Sequence, residues 1–246
     1  MTATSISVII PCFNTEPDIH NMTVMAVESI KRARSDVEMI IVDNGSTYGA
    51  GYLREVADIY IRNTHNLGYP GAVNQGLALA NGNIICISNN DIRVPANIFD
   101  VGEEILQDKE VGSVHYKMIP YDERFSFGDK VWTTGKERWC TSSFFLIKRE
   151  ALPEGNYDLN YGMGGFDDYD FWQRVRHING WQTALTNKSA YQHWGSWTLS
   201  KIPDSEKKDK NMAYFVSKFG KEPDQLFKEK YPEQWELDYY STMSEL

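Results

Sequence analysis

Apolar and polar positions follow two regimes along the chain. Up to about residue 110, short continuous apolar runs alternate with stretches of helical period. Ser5–Pro11 (SISVIIP), Val37–Val42 (VEMIIV), Ile59–Arg62 and Ile84–Ser88 are the apolar runs. They are rich in β-branched residues and lack an apolar/polar alternation, the mark of strands buried on both faces. Between them, Ile19, Met22, Met25, Ala26, Ser29 and Ile30 recur at a helical spacing after Pro17 and Asp18, a helix start. Tyr52–Ala57 predicts a short helix. In Asn66–Gly82, Pro70 suits a first turn, Val73, Leu77 and Ala80 line one face, and Gly82 sits where a C′ residue closes a helix. Pro95–Gln107 predicts the next helix. This β-α-β-α-β-α-β order implies a parallel sheet with helices on both faces, an α/β fold.

Beyond residue 110 the pattern changes. Val111–Met118, Lys130–Thr134 and Ser142–Lys148 read as strands without regular helices between them. A helix is predicted from Asp168 to Ile178, then short strands near Gln182–Ala184 and Ala190–His193. Lys201–Lys210 (KIPDSEKKDK) reads as a polar linker, followed by helical segments at Met212–Phe219 and Pro223–Lys230.

The 246 residues suffice for a sizeable core. A net charge of −9 disfavours a surface that wraps nucleic acid, and leaves room for a local cluster of Arg124, Lys130, Lys136, Arg138, Lys148 and Arg149. Cys12, Cys86 and Cys140 show no zinc spacing and fit a reducing compartment. With no signal-peptide pattern and no membrane-length apolar run, a cytoplasmic protein is expected.

Acidic and amide residues gather where strands stop and where a helix starts. Asp43 follows Val42, and Asn89-Asn90-Asp91 follows Ser88. In open α/β sheets, ligands bind in the crevice beyond the carboxyl ends of the strands. A carboxylate there accepts hydrogen bonds from a base or ribose, and oxygen ligands suit a hard cation on phosphates. The same runs are also turn and capping chemistry, and the residues alone leave both readings open. Asp167, Asp168 and Asp170 sit at a helix start behind the Gly162–Gly165 stretch, where an acidic cap is the simpler reading of those residues by themselves. His193 ends a short strand, placed either as a packed residue or as the further ligand that a metal at Asp91 needs. Asp43 has no basic neighbour in sequence, so its carboxylate is expected to be free.

Taken in order, Ser7–Asn14 (SVIIPCFN), Val42–Ser46 (VDNGS), Asn66–Gly76 (NLGYPGAVNQG), Ser88–Asp91 (SNND), Ser142–Leu152, Gly165–Arg176 (GFDDYDFWQRVR) and His193–Ser196 (HWGS) resemble glycosyltransferase family 2, of the GT-A fold. The rhamnosyltransferase-like branch is nearest, because it writes its metal motif Asn-Asn-Asp. The resemblance runs from about Ser5 to Thr198. It implies a GT-A domain over residues 1–200, with a nucleotide-sugar half at 1–110 and an acceptor half at 111–200. Residues 201–246 form a helical extension. It implies that Pro11, Phe13 and Asn14 border the nucleotide, and that Asp43 holds the base. Asn66 and Asn74 line the donor pocket with Asn89 and Asn90. Asp91 and His193 bind Mn²⁺ or Mg²⁺, and Asp168 is the general base with Asp167 beside it.

The implied reaction moves a sugar from a UDP- or dTDP-sugar to an acceptor hydroxyl, with inversion. The acceptor is a glycan first, a protein or modified DNA base second, with DNA disfavoured by the charge. Trp132, Trp139, Trp194 and Trp197 are candidates for stacking on it, although a core position is the simpler reading of each alone. Asn89 stands where the family has an acid, so metal affinity before donor binding should be low. Asp167 stands where it has Glu. Two alternatives stand beside this reading: a catalytically degenerate nucleotide- or glycan-binding module, and a sugar-1-phosphate nucleotidyltransferase. The second is disfavoured because PCFNTEPD after the first strand has neither glycine nor a basic residue to cradle a triphosphate.

Overall fold

A computed structural model of the chain describes residues 5–134, 142–195, 205–223 and 225–226. In chain order the first half gives β1 (Ile6–Cys12), α1 (Pro17–Ala33), β2 (Glu38–Asp43), α2 (Ala50–Val56), β3 (Ile59–Arg62), α3 (Gly68–Leu79), β4 (Ile84–Ser88), β5 (Ile92–Arg93) and α4 (Ile98–Leu106). The second half gives β6 (Val111–Pro120), β7 (Val131–Thr134), β8 (Phe144–Lys148), α5 (Asp167–Gln173), β9 (Gln182–His193) and α6 (Ser205–Phe219).

Among the described residues the strands form one mixed sheet, ordered β3-β2-β1-β4-β8-β6-β9-β5, with β7 also paired to β9. The β3, β2, β1 and β4 strands are mutually parallel, as the sequence implied, and β8 runs antiparallel to β4 and β6. The unbroken apolar runs have a direct packing consequence. Along β1 and β2, Val8, Ile10, Met39 and Ile41 pack with α1, α2 and α4 on one face. Their neighbours Ile9, Ile40 and Val42 pack with α3 and α5 on the other. Successive side chains point to opposite faces of a strand, so a strand covered on both sides must be apolar at every position.

Several second-half expectations are corrected. The two short strands near Gln182–Ala184 and Ala190–His193 are one strand, β9. Its parallel pairing with β6 steps from Tyr116↔Thr186 to Lys117↔Ala190, so the polar Asn187-Lys188-Ser189 is a bulge within the strand and not a break. Ser205–Lys210, read as linker, is the first part of α6, because Glu and Lys are good helix formers and a polar run is equally a solvated helix face. The helix expected to reach Ile178 passes at Arg174–Ile178 into a π-helical turn. Gly82 is not a helix C′, since α3 ends at Leu79; a Cβ on Gly82 would instead strike the β1 backbone at Ser7, 2.6 Å away. Of the helix expected at Pro223–Lys230, most lies outside the described residues.

The start of α3 sits hard against the loop before α5. Gly68 has φ +82°, and a Cβ there would lie 2.1 Å from the carbonyl oxygen of Gly162. Gly68→Ala should therefore combine backbone strain with a backbone clash and cost about 2–4 kcal/mol. Gly51 in α2, whose Cβ would meet nothing within 4 Å, is the contrast: Gly51→Ala should be neutral or stabilise by up to about 1 kcal/mol. Denaturant melts of both variants check this, and equal stability of Gly68→Ala and the parent chain would overturn the close-approach argument.

Candidate active site

A cavity of about 300 Å³ opens beyond the carboxyl ends of β1 and β4. Its wall includes Pro11, Phe13, Asn44 and Asn66 on one side, Asn89, Asn90, Asp91 and His193 on a second, and Ser142, Gly164, Gly165, Asp167 and Asp168 on a third. Residues far apart in sequence meet there because the strand ends converge.

Asp91 and His193 are brought together by backbone pairing. β5 follows Asp91 at once and runs antiparallel to the end of β9, with Ile92 opposite His193. The Trp194 N–H donates to the Asp91 carbonyl at 3.1 Å. The result places His193 Nε2 3.2 Å from Asp91 Oδ1, both side chains nearly enclosed. Nε2 is buried without a hydrogen-bond partner among the described residues. A buried polar atom left unpaired costs free energy. An imidazole nitrogen and a carboxylate oxygen aimed at the same space are a fit donor pair for a divalent cation. Among the described residues no group of three or more His, Cys, Asp or Glu is arranged to hold a metal ion. The pair therefore supplies only part of a coordination sphere.

The amides around this turn are largely structural. Asn90 Nδ2 donates to Asn14 Oδ1 (3.1 Å) and to Thr23 Oγ1 (2.9 Å), tying the turn that carries Asp91 to the end of β1 and to α1. Asn14 Oδ1 is thus engaged in this buried cluster while its Nδ2 has no hydrogen-bond partner among the described residues, and Asn14 is not part of the cavity wall, a correction to the expectation for it. Asn74 is a second correction. Its side chain donates to the Tyr157 carbonyl (2.7 Å) and accepts from the Tyr157 N–H (2.9 Å), stapling α3 to the chain before α5 instead of lining the pocket. Asn66 does line the pocket, held by Asn44 Nδ2 at 2.7 Å.

Asp43 departs most from its expected state. It is fully buried and is not in the cavity wall. Oδ1 accepts from the Ser46 N–H at 2.7 Å, and Oδ2 accepts from the Tyr60 hydroxyl at 2.7 Å and from Arg62 Nη1. The expected absence of a basic partner fails because Arg62 ends β3 directly opposite Asp43 in the parallel register. Only strand pairing reveals that neighbour, 19 residues away in sequence.

At the third wall, Gly162, Gly164, Gly165 and Phe166 all have positive φ, and Asp167 is the first residue of α5. Asp167 Oδ1 accepts from the Gly165 N–H at 2.5 Å, and Asp168 Oδ1 accepts from the Tyr169 N–H at 2.9 Å. Burial raises the carboxyl of Asp167, and the neighbouring charge of Asp168 raises it further, to about 7. Burial also raises Asp168. Asp170, the third acid, faces away and is bound by Arg174 (2.6 Å) and Lys218 (2.5 Å). A coupled acid pair with raised pKa in a cavity is suited to proton transfer near neutral pH.

Of the basic residues named above, Lys148 and Arg149 lie away from the cavity. Lys148 caps the Asp108 carbonyl and Arg149 those of Gly82 and Ala80, at the opposite end of β4. Lys136, Arg138, Trp139 and Trp197 lie outside the described residues, as does the side chain of Trp132. Trp194 stacks on Tyr121, ring centroids 5.2 Å apart and 13° from coplanar.

Comparison with known proteins agrees with this geometry. The family model "Glycosyl transferase family 2" matches residues 7–195. Glycosyltransferase GlyG of Streptococcus pneumoniae serotype 4 is 31% identical over 162 residues, covering 63% of this chain and 52% of that protein. The chain thus spans about half the length of the curated relative it matches. Among solved structures, S. aureus TarS in complex with UDP-GlcNAc aligns with a TM-score of 0.70 at 13% identity, over 92% of this chain and 71% of that one. A mannosyltransferase of Pyrobaculum calidifontis in complex with GDP-Man and Mn²⁺ aligns with a TM-score of 0.61 at 19% identity, over 87% and 60%. At such identities the likeness carries the fold, which is GT-A.

The raised Asp167 carboxyl has a measurable cost. Its usual value is 3.8 and its value in the fold about 7. Between these the native state holds a proton that the unfolded chain has released, so this group's contribution to stability is lost as pH rises through that window. Asp167→Asn keeps an oxygen for the Gly165 N–H and removes the charge. It should raise the Tm by roughly 3–6 °C at pH 8, with the gain fading towards pH 4. Thermal melts across this range check it; a gain independent of pH, or a loss at pH 8, would refute the assigned environment.

Proposed function

The chain belongs to glycosyl transferase family 2, and from that premise we propose that it transfers a sugar from a nucleoside-diphosphate sugar to an acceptor hydroxyl with inversion, using a divalent cation. One observation carries this reading: a single cavity has the Asp91–His193 pair on one wall and the coupled acids Asp167 and Asp168 on another. Glycosyltransferase activity is the family's, whereas the metal, stereochemistry, donor and acceptor are our inference.

Asp91 and His193 would hold Mn²⁺ or Mg²⁺, which when bound neutralises charge on the leaving diphosphate. Pro11, Phe13 and Asn66 border the nucleotide. Asp43 holds the turn after β2 from behind the wall through Ser46, Tyr60 and Arg62 and does not contact the base; a UDP- or dTDP-sugar is favoured by resemblance. Asp168, half-buried and facing the cavity, takes the proton of the acceptor hydroxyl as that oxygen attacks the anomeric carbon. The bond from that carbon to the diphosphate breaks on the opposite side, so the configuration inverts. Asp167, with its raised affinity for a proton, sits beside the base and lessens the charge that burial penalises.

The acceptor we favour is a glycan. The Tyr121–Trp194 stack directly follows His193 and is of a kind that packs against sugar faces. The rhamnosyltransferase-like branch rests on Asn89-Asn90-Asp91. A cytoplasmic location fits the buried free thiols Cys12 and Cys86, and no helix among the described residues is long and apolar enough to cross a membrane. A binding module without catalysis is the second reading. Transfer or hydrolysis of a nucleotide sugar with Mn²⁺ separates the two, since a module would bind UDP and leave every donor intact.

With two ligands in place, metal affinity should depend on the nucleotide. Calorimetry should show weak Mn²⁺ binding to the free protein and at least tenfold tighter binding with UDP present, and Asn89→Asp should strengthen the former. Tight binding to the free protein would sink this arrangement.

Asp168→Asn keeps shape and removes the base, so kcat should fall about 10²–10⁴-fold while UDP affinity stays within about twofold. Asp167→Asn should cost less. The acid limb of the rate profile should lie above the ordinary carboxylate range, because activity requires Asp168 ionised. A product with retained configuration, or near-normal transfer by Asp168→Asn, would overturn the mechanism.

A further inference from the structure

α6 lies beyond residue 195, where the family match ends, yet it is bonded to the loop that carries the acid pair. Asn211 is buried on this helix. Its Nδ2 donates to the carbonyls of Tyr161 (2.9 Å), Gly164 (2.9 Å) and Gly165 (3.0 Å). An amide has two such protons, so one is shared and the group sits at the focus of a turn. That turn has positive φ at Gly162, Gly164 and Gly165; the Tyr161 carbonyl also accepts from the Gly164 N–H (3.1 Å), and Asn211 joins it to the carbonyls of Gly164 and Gly165. Gly165 is held on its carbonyl by Asn211 and holds Asp167 by its N–H at 2.5 Å.

Separate contacts dock the rest of the helix. Lys218 bridges Asp158 (2.8 Å) and Asp170 (2.5 Å), Tyr214 donates to Asp158 (2.9 Å), and Phe215 is fully buried near Phe166 and Tyr169. Docking is thus provided without Asn211. What Asn211 adds is a grip on Gly164 and Gly165, both of which line the cavity.

We propose that Asn211 is a positioning residue: it fixes the Gly162–Gly165 turn and, through Gly165, the Asp167 carboxyl, making α6 part of the catalytic unit. The proposal rests on reading Asp167 and Asp168 as the acid pair. Loss of Asn211 lets the turn relax and lengthens the Gly165–Asp167 bond while leaving the nucleotide wall untouched.

The test uses the full chain with Asn211→Leu, Asn211→Gln and Lys218→Met. With a nucleotide sugar and Mn²⁺, Asn211→Leu should lower kcat at least tenfold, with donor KM and UDP affinity within about twofold of the parent. Asn211→Gln restores an amide NH₂ and should recover part of kcat. Lys218→Met, which loosens helix docking without touching the turn, should lower Tm more than kcat. Should Asn211→Leu fail to fold, Asn211→Ser, which fits the space without an amide, takes its place.

A second readout does not depend on turnover. NMR titration of the Asp167 carboxyl should show a midpoint at least half a pH unit higher in Asn211→Leu, since the Gly165 bond opposes Asp168, Asp170 and burial. An unchanged midpoint, or kcat losses that follow only the loss of Tm across all variants, would overturn the proposal. A parent chain that transfers no sugar yet shows the shifted midpoint would refute the proposed function and leave the positioning role standing.

Discussion

Two residue pairs of antiparallel pairing, Ile92 with His193 and Arg93 with Gln192, hold the second wall of the cavity to the second half of the chain. The meeting of Asp91 and His193 depends on them. Without this pairing Asp91 would be a turn aspartate at the end of β4, and His193 a histidine at the end of an edge strand. With it, His193 Nε2 lies 3.2 Å from Asp91 Oδ1, buried without a hydrogen-bond partner among the described residues. The neighbouring bonds stiffen the arrangement from both sides. Asn90 ties one strand end to Asn14 and Thr23, and Gln192 grips the carbonyls of Tyr121 and Glu123.

Charge is distributed unevenly around the cavity. The wall of Pro11, Phe13, Asn44 and Asn66 has no charged member, and the second wall has one carboxylate, Asp91, with His193 beside it. The opposite wall concentrates two carboxyls whose charges repel and whose burial opposes ionisation. Asp170 instead is ion-paired with Arg174 and Lys218. Three acids within four residues thus occupy two environments, which adjacency in sequence conceals.

Legibility in the sequence follows the range of the forces involved. β3 and β4 are read to the residue, and β1 and β2 to within one or two, because burial on both faces writes itself into uninterrupted apolar runs. Asp91 is placed beyond a strand end for the same reason, whereas Pro11, Asn66 and Asp168 enter through the resemblance of their motifs. The places of Asn14 and Asn74 are not legible. Their side chains are committed to partners 76 and 83 residues away, and no local pattern marks such a bond. Arg62 on Asp43 is hidden by strand register, and the unity of β9 by a bulge that looks like a gap. Asn211 carries no signal at all in one dimension, since its three acceptors are main-chain carbonyls.

The long strand β9 also dictates an order of assembly. Most partners of β1 to β4 lie within the first half, where loop closure is short, so that half can condense as soon as it exists. β5 is different: its sheet partner is the last part of β9, a hundred residues further on. During synthesis the first half can therefore take its place while β5 still lacks its partner. Asp91 and His193 come into register only once β9 has been made and has settled against β6. A chain interrupted before that point would keep strands β1 to β4 and leave the second wall of the cavity unformed, so the cavity is completed by β9 and not by the half that folds first.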